Sequence, residues 1–584
     1  MREFLQAHRY GFAAGALLAF LIAILAPGYL IGSAPEDFSF VDPSWLRTFA
    51  CILFVAMGLV FILVYLAIQH FFDRKIGLVV LGVAIAWVCT AGFAIPISKS
   101  VEMVPANSSP ISMLGLAIAL GATGLLGWLL ASGRHFIAII YLSVQMAVAI
   151  VPAIPGIWSA YFASSTDLSD DFEAISPQRS VLVVSFDDLS GRLSREEIES
   201  NAELREAFSD FTFFSNTIGN APGTVLSLMH ELYGARDFAS MGDDLDEGRL
   251  KDRLESDTLV LNDPAVDAMA YGSYSIFADS PARKLTIGDL SGGLDPTLAL
   301  SAINDLYDYI WLRLGTRFAV SLHQKLYQTG VSPLSIISER LRAGCSECSD
   351  FSGKLARHQG AQWDRINVNS VKDFDRFTEQ VSPSDSKFSI RYMHFLFTHF
   401  PVDFDEDCTY RGDDAAWVTA NQNEGGAREE TRCALKGMVR LLNRLKAQGL
   451  YDNTAIIFKS DHGKTNDYAG GEDGKAIFAS NPTWGRDRYM PLLMIKSAGA
   501  APGDLEFDDR TAALSDLAAT LCPTLPGRRD CSIYPGANLA RPAQEDAPDI
   551  PVFIPRSETS SHRYQDLEVE RLERGADLQA LSGE

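Results

Sequence analysis

Thr454-Ala-Ile-Ile-Phe-Lys-Ser-Asp-His-Gly463 is a short apolar run that stops at two metal-binding side chains. The β-branched and aromatic residues from Thr454 to Phe458 predict a buried strand. Sheets of the α/β class carry their chemistry at the carboxyl ends of strands, where Asp461 and His462 fall. A carboxylate beside an imidazole offers two ligands for a divalent cation, and Gly463 permits the tight turn that aims both. Alone, the triplet fits a loop ion pair or a helix cap equally well. Its weight comes from a second strand of the same kind: Ser180-Val-Leu-Val-Val-Ser-Phe186 is almost wholly apolar and ends at Asp187-Asp188. Strands apolar on both faces belong to sheets covered by helices. Two carboxylates at the end of such a strand are costly unless paired or bound to metal.

Between these strands, Thr224 follows Ala221-Pro222-Gly223 and opens a helical pattern running to Tyr233. A hydroxyl there can cap the helix or act as a nucleophile, and a helix N-terminus favours a phosphoryl group bound to it. Phe211–Asn216, Ile390–Leu396 and Arg488–Ile495 are further strand candidates; Glu196–Phe208 and Arg428–Gln448 have helical spacing. Alternating strands and helices predict a mostly parallel sheet flanked by helices. His399, in T-H-F-P after the Ile390–Leu396 strand, is placed to touch a phosphate or protonate a leaving alkoxide. His394, inside that strand, reads as a packed core residue.

Upstream lies a different polymer. Five apolar runs, at about Tyr10–Gly32, Trp45–Phe71, Ile76–Ile97, Ile111–Ala131 and His135–Trp158, are each about 20 residues or longer and nearly free of charge inside. Arg2, Arg9, Arg74, Lys75 and Arg134 mark the cytoplasmic loops, so the chain beyond Trp158 is expected outside the cytoplasm. Gly32-Ser33-Ala34 also fits a signal-peptide cleavage site, but the run is long for one and a retained anchor is the preferred reading. Six of the 8 cysteines fall in the outer part as close sequential pairs, Cys345/Cys348, Cys408/Cys433 and Cys522/Cys531, as expected for disulfides in an oxidising compartment. Cys51 and Cys89 fall in spans and read as small core residues. The net charge of −23 argues against a nucleic-acid partner. Leu306–Arg342 is apolar and basic at helical spacing, suited to core packing or to a membrane surface. The expected organisation is a transmembrane domain over 1–160, a linker over 161–179, a catalytic domain over 180–535 and a polar extension over 536–584, whose end reads as a charged tail.

These motifs resemble the alkaline phosphatase superfamily on its sulfatase-like branch, over about Val181 to Ile495. V-L-V-V-S-F-D-D resembles that family's first metal strand, I-I-F-K-S-D-H-G its second, and T-V-L-S-L-M-H-E-L-Y-G its nucleophile helix. Sulfatases carry C-x-P-S-R at the last of these, with a Gly ten residues after the nucleophile. Here Ser227 and Gly234 match, but Thr224 stands where formylglycine forms and Leu228 replaces the Arg. Thr at this position is similar to the membrane phosphotransferases: lipoteichoic acid synthases, phosphoglycerol transferases and phosphoethanolamine transferases. The resemblance implies an alkaline phosphatase-like catalytic domain outside a bacterial inner membrane, in the periplasm. It implies a zinc or manganese ion on Asp187, Thr224, Asp461 and His462, with Asp188 as a further candidate ligand, and His399 as the substrate-side base or acid. It also implies a phospholipid donor and a glycan or lipid acceptor for the group carried on Thr224. A hydrolase with the same site and a catalytically silent lipid sensor are the alternatives. Those transferases carry another His after D-H-G; here the only later one is His562, and Lys464 occupies a position where an acidic residue is common. Lys464, Arg486 and Arg488 are therefore the candidate contacts to the substrate anion.

Overall fold

The computed structural model describes residues 2–33, 43–72, 74–90, 113–162, 168–236, most of 261–291, positions 303, 306, 307 and 310, 361–469 save 413, 476–478, most of 481–555, and 567–575. Its contacts divide the chain into two units: Met1–Ser165 with Leu294–Ala356, and Thr166–Gly293 with Arg357–Glu584.

The first unit is helical. Arg2–Phe20 (α1) continues through a π turn at Leu21–Leu25 into Ala26–Ser33 (α2). Pro43–Phe71 (α3), Arg74–Cys89 (α4), Met113–Ala131 (α5) and His135–Phe162 (α6) complete it. Among the described residues, two helices are long and apolar enough to cross a membrane, His8–Ile31 and Trp45–Phe71; the apolar stretches of α4 to α6 are shorter. Ile85, Leu81 and Tyr65 are buried, while Val55, Leu59, Val60 and Leu63 point outward. Cys89 is buried as expected, but Cys51 lies on the outward face. The π turn leaves carbonyls outside the regular helical ladder. Two tyrosines meet them: Tyr161 donates to the Ile24 carbonyl at 2.9 Å and Tyr307 to that of Ala23 at 2.6 Å. Ile303, Leu306, Tyr307 and Ile310 are all buried in this helical unit. The start of the Leu306–Arg342 stretch thus packs with the N-terminal helices, neither in the α/β core nor on a surface; Cys345 and Cys348 lie outside the described residues.

The second unit is built on an eight-stranded sheet. In chain order its strands are β1 Ser180–Phe186, β2 Thr212–Ile218, β3 Asp267–Tyr271, β4 Lys284–Leu285, β5 Ser389–Phe395, β6 Thr454–Ser460, β7 Leu493–Lys496 and β8 Glu506–Ala513. Across the sheet the order is β8-β2-β7-β6-β1-β5-β3-β4. Only β7 runs antiparallel to its neighbours, so the mostly parallel α/β reading holds. β1 and β5 are buried along their whole length, as the apolar sequence of β1 requires. Val181 and Val183 face a core shared with Leu226, Leu228 and Met229 of helix Thr224–Tyr233. Phe186 alternates to the other face, where its ring meets Phe374, Phe397 and Phe458 at 4.9 to 5.5 Å between centroids. Helices therefore cover both faces.

The boundaries differ from the sequence reading for local reasons. The expected helix Glu196–Phe208 is two, Gly191–Ser200 (α7) and Ala202–Ala207 (α8), because Asn201 turns extended and caps the second with its side chain. Thr224–Tyr233 is α9 and Ala361–Gln380 is α10. The helix expected over Arg428–Gln448, here α11, starts at Glu424, with Asn423 as its cap, and ends at Ala447. The strand expected over Arg488–Ile495 begins only at Leu493; a tight turn occupies Arg486–Tyr489, and Pro491 cannot donate to a ladder. Disulfides join Cys408 to Cys433 and Cys522 to Cys531. Within 536–584, Ile550–Pro555 and Leu567–Leu572 form an antiparallel pair whose Val552, Phe553 and Ile554 are buried.

Candidate active site

Phe186 of β1 pairs with Ser460 of β6 in a parallel ladder. The next residues along, Asp187 and Asp461, therefore leave adjacent strands side by side at the carboxyl edge of the sheet. Ser460 locks this edge, donating through its hydroxyl to the Phe186 carbonyl at 2.7 Å and accepting from the Leu189 amide at 2.8 Å. Gly463 is needed for close approach: a Cβ there would lie 1.9 Å from the Asp487 carbonyl. Helix α9 delivers Thr224 at its first turn, and Ser227 pins it by donating to the Asp461 carbonyl at 2.6 Å.

Asp187, Asp461 and His462 each offer one ligand atom, all within 4.8 Å of one another and all buried. His462 Nε2 is 3.1 Å from Asp461 Oδ2, 3.5 Å from Asp187 Oδ1 and 3.5 Å from Thr224 Oγ1. Among the described residues, neither Asp187 Oδ1 nor Asp461 Oδ2 has a hydrogen-bond partner. Buried carboxylate oxygens left so, converging on one imidazole nitrogen and a hydroxyl, fit a divalent cation. Hard oxygen donors with one nitrogen suit manganese and zinc alike. Burial would push Asp461 up, but His462, His394 and Lys459 outweigh it and hold the carboxyl below the usual range.

Asp188, a candidate ligand by sequence, is not part of this group. Its φ of 60° is left-handed, a conformation Asp tolerates better than most residues, and it sends the side chain elsewhere. Asp188 Oδ1 lies 2.6 Å from Arg488 Nη1, and Oδ2 lies 3.7 Å from Lys464 Nζ. Burial would raise this carboxyl; Lys464 and Arg488 hold it below its ordinary value. Lys464 is fully buried, donating to the Thr398 carbonyl at 2.5 Å and facing Glu430 Oε2 at 3.2 Å. Arg488 also donates to the carbonyls of Pro222 at 2.8 Å and Gly463 at 3.2 Å, and its Nη2 is 3.2 Å from His462 Nε2. Of the three basic residues expected here, Lys464 and Arg488 meet Asp188; Arg486 opens the same turn, and these contacts are not its own.

His399 is buried, with Nδ1 2.6 Å from the Phe400 carbonyl. A carbonyl only accepts, so Nδ1 carries the proton and Nε2 is the basic nitrogen of the neutral ring. Burial pushes this imidazole below its ordinary value, against the pull of Asp187 and Asp188. The Asp187 carbonyl in turn accepts from the Thr398 hydroxyl.

His394 reads as core by sequence, and the structure gives it a second connection. Its Nδ1 is 3.0 Å from Ser185 Oγ, and its Nε2 is 3.5 Å from Asp187 Oδ2. Ser185 accepts from Lys459 Nζ at 2.9 Å, and Lys459 pairs with Glu231 at 2.6 Å, which accepts from Tyr274. This buried chain runs beneath the carboxylates. The sequence holds a trace of it: Ser185 and Lys459 each sit two residues before an Asp, and Ser185 is in register with both Lys459 and His394.

No protein-family model matches the sequence, and no protein of curated function does. Solved structures do match. The phosphonate monoester hydrolase of Agrobacterium radiobacter is 14% identical, over 66% of this chain and 82% of that one, with a TM-score of 0.36. The C-terminal periplasmic domain of EcEptC from Escherichia coli is 12% identical, over 66% and 93%, at 0.33. The lipoteichoic acid synthase LtaP from Listeria monocytogenes is 12% identical, over 68% and 83%, at 0.31.

Proposed function

We propose that this chain is a metal-dependent phosphotransferase of the sulfatase-like branch of the alkaline phosphatase superfamily, held in a bacterial inner membrane with its α/β unit in the periplasm. The observation that carries it is the convergence of Thr224 Oγ1 with Asp187 Oδ1, Asp461 Oδ2 and His462 Nε2, the two carboxylate oxygens having no hydrogen-bond partner among the described residues. A hydroxyl has little other reason to meet a cation site at the start of a helix. The divalent ion those four residues would hold supplies Lewis acidity, lowering the pKa of the Thr224 hydroxyl and drawing charge from phosphorus.

The protein's own groups account for the rest. Thr224 attacks the phosphorus of a phospholipid headgroup, either phosphoglycerol or phosphoethanolamine, and the diacylglycerol oxygen leaves with its pair. The phosphodiester on Thr224 lies at the N-terminus of α9, where unpaired backbone N–H groups favour an anion. Arg488 is placed to meet its non-bridging oxygens. His399, neutral with Nε2 basic, takes the proton released as Thr224 attacks and returns it to the leaving alkoxide; in the second half it takes one from the entering hydroxyl and returns it to Thr224. A glycan or lipid hydroxyl then displaces Thr224. Five membrane spans are part of this proposal. The outward apolar faces of α3 support lipid surroundings, and anchoring raises the effective concentration of a lipid donor.

The test is mass spectrometry of the full-length, detergent-purified protein after exposure to phospholipid. A phosphoglycerol or phosphoethanolamine adduct on Thr224 is expected, discharged on adding a glycan acceptor. Discharge by water alone, at the same rate, makes the protein a hydrolase. No adduct with metal bound rejects the covalent route.

A further inference from the structure

The connection that carries Thr224 is short. β2 ends at Ile218, and Gly219-Asn220-Ala221-Pro222-Gly223 spans the gap to α9. Asn220 is fully buried, and both ends of its side chain are engaged. Its Nδ2 donates to the Pro551 carbonyl at 2.8 Å, and its Oδ1 accepts from the Ser515 amide at 2.9 Å. Its own carbonyl accepts from the Phe553 amide at 2.8 Å. Pro551 and Phe553 lie on Ile550–Pro555, the first strand of the antiparallel pair within 536–584. The segment that reads as a polar extension therefore reaches the loop ahead of Thr224 with a strand of its own.

We infer that Asn220 is a positioning residue for Thr224, and that the C-terminal strand pair is the support it works against. The inference deepens the proposed function and rests on its reading of Thr224 as the nucleophile. The contacts close on themselves. Arg574, just past the second strand, meets Asp516 twice, Nη1 to Oδ2 at 2.9 Å and Nη2 to Oδ1 at 2.6 Å. Asp516 follows Ser515, whose amide donates to Asn220. From Asn220 the path runs through Ser515, Asp516, Arg574 and the strand pair, and returns through Pro551. The first strand also meets the flanks of the loop. The Phe553 ring lies 4.7 Å from that of His230 in α9, and the Phe553 carbonyl accepts from the Tyr489 hydroxyl at 3.2 Å. The Tyr489 carbonyl in turn accepts from the Gly219 amide at 2.9 Å.

An amide suits this place. Asn carries a donor and an acceptor on one planar group, and here they reach two different segments. A buried amide that loses either contact pays for its desolvation, so loop and strand must keep their register. The two residues just before Thr224 offer no such anchor: Pro222 has no N–H and Gly223 no side chain. Ser227 pins the chain three residues after Thr224, at the Asp461 carbonyl, and Asn220 pins it four residues before. Displacing an attacking atom by about 1 Å costs about 10²-fold in rate. The partners of Asn220 are Ser515, Pro551 and Phe553, none of them a residue proposed to hold the ion. Its loss therefore falls on the placement of the attacking oxygen and spares the cation.

The experiment follows adduct formation on Thr224 by mass spectrometry in full-length, manganese-loaded protein. The donors are detergent micelles of phosphatidylglycerol or phosphatidylethanolamine, and bound manganese is counted by elemental mass spectrometry. Asn220→Ala is expected to form the adduct about 10²-fold more slowly per manganese-loaded chain at saturating donor, with half-saturating donor and manganese affinity within about threefold of wild type. Arg574→Met opens the ring of contacts at a partly exposed side chain and is expected to slow the reaction about tenfold in the same way. The double variant is expected within about threefold of Asn220→Ala, because both act through one path. A merely structural role lowers the unfolding midpoint and leaves the rate per loaded chain unchanged. That result in Asn220→Ala overturns the inference, as do loss of its manganese or additive effects in the double variant. If Asn220→Ala does not fold, Arg574→Met decides, and a wild-type rate there overturns the inference. All of these leave the proposed function standing. Wild-type protein that holds manganese and forms no adduct overturns the covalent route, and the inference with it.

Discussion

Two edges of one imidazole ring show two ways of living with buried negative charge. Around His462 Nε2, Asp187 and Asp461 present oxygens without a hydrogen-bond partner among the described residues, and Arg488 Nη2 lies 3.2 Å from the nitrogen itself. Around Nδ1, Asp188 is surrounded by an arginine and a lysine, with Glu430 behind the lysine. At the second edge Asp188 Oδ1 is bonded to Arg488, while Oδ2, without a hydrogen-bond partner among the described residues, faces Lys464 Nζ at 3.7 Å. The burial is the same and the residue type is the same, so the difference lies in which partners the backbone brings. Asp187 and Asp188 are neighbours in sequence, and successive residues leaving a strand point to opposite sides. The left-handed φ at Asp188 exaggerates that divergence. A tandem of acids therefore faces two ways, one carboxylate toward Asp461 and His462 and the other toward Arg488 and Lys464.

The comparison can be broken most sharply at Thr224. Thr224→Ala is expected to lower transfer from phospholipid by about 10⁴-fold or more, with bound metal weakened far less than in Asp461→Asn. Equal activity in Thr224→Ala and wild type would remove Thr224 from the chemistry. The next largest effect falls on the saturated edge. Lys464→Met leaves Asp188 and Glu430 without their shared cation and is expected to destabilise the fold by about 3–5 kcal/mol, read from denaturant midpoints. The open edge behaves in the opposite sense. In chelator-treated protein, Asp187→Asn removes a repulsion and is expected to raise stability by about 1 kcal/mol, while the same substitution in manganese lowers it relative to wild type. If both substitutions destabilise the metal-free protein alike, the two edges are not different in kind.

A further effect is in pH. His399 titrates below its ordinary 6.5, and burial pushes His230 down to about 3. Both bind protons less readily in the folded protein than in the unfolded chain, so stability falls as pH drops below about 6.5. His230→Gln should flatten that decline in urea midpoints between pH 7 and pH 5. The acid limb of kcat/KM, if His399 sets it, lies below 6.5.

How far the sequence can be read is governed by the same physics. β1 and β6 are legible because both are dominated by apolar residues, as a strand covered on both faces favours, and the residues just past their ends are charged. β8 is not: it is an edge strand, half exposed, and E-F-D-D-R looks like a loop. β3, only five residues, lacks a pattern long enough to see. At the site, the residues just past strand ends are visible, as is Thr224 after Pro-Gly. Pairing at long range is hidden. Nothing local says that Lys464 meets Glu430, that Arg488 meets Asp188 across 300 residues, or that His394 touches Asp187 rather than the apolar core. Composition locates donors and acceptors; register and crossover decide which ones meet.

Strand β7 turns this into a rule of access. The strands parallel to β1 run toward the site and deliver to it the residues past their carboxyl ends. The antiparallel β7 runs away, with Leu493 opposite Lys459, and so delivers the residues ahead of its amino end: the Arg486–Tyr489 turn and Arg488. That turn is also tied to the one that aims His462: the Arg488 carbonyl accepts from the Gly463 amide at 3.1 Å, and Asp487 accepts from the Lys464 amide at 3.0 Å. One reversed strand therefore fastens the arginine to the Asp461-His462-Gly463 turn from the opposite direction. A lineage, or an engineer, that changes one of the two turns must accommodate the other.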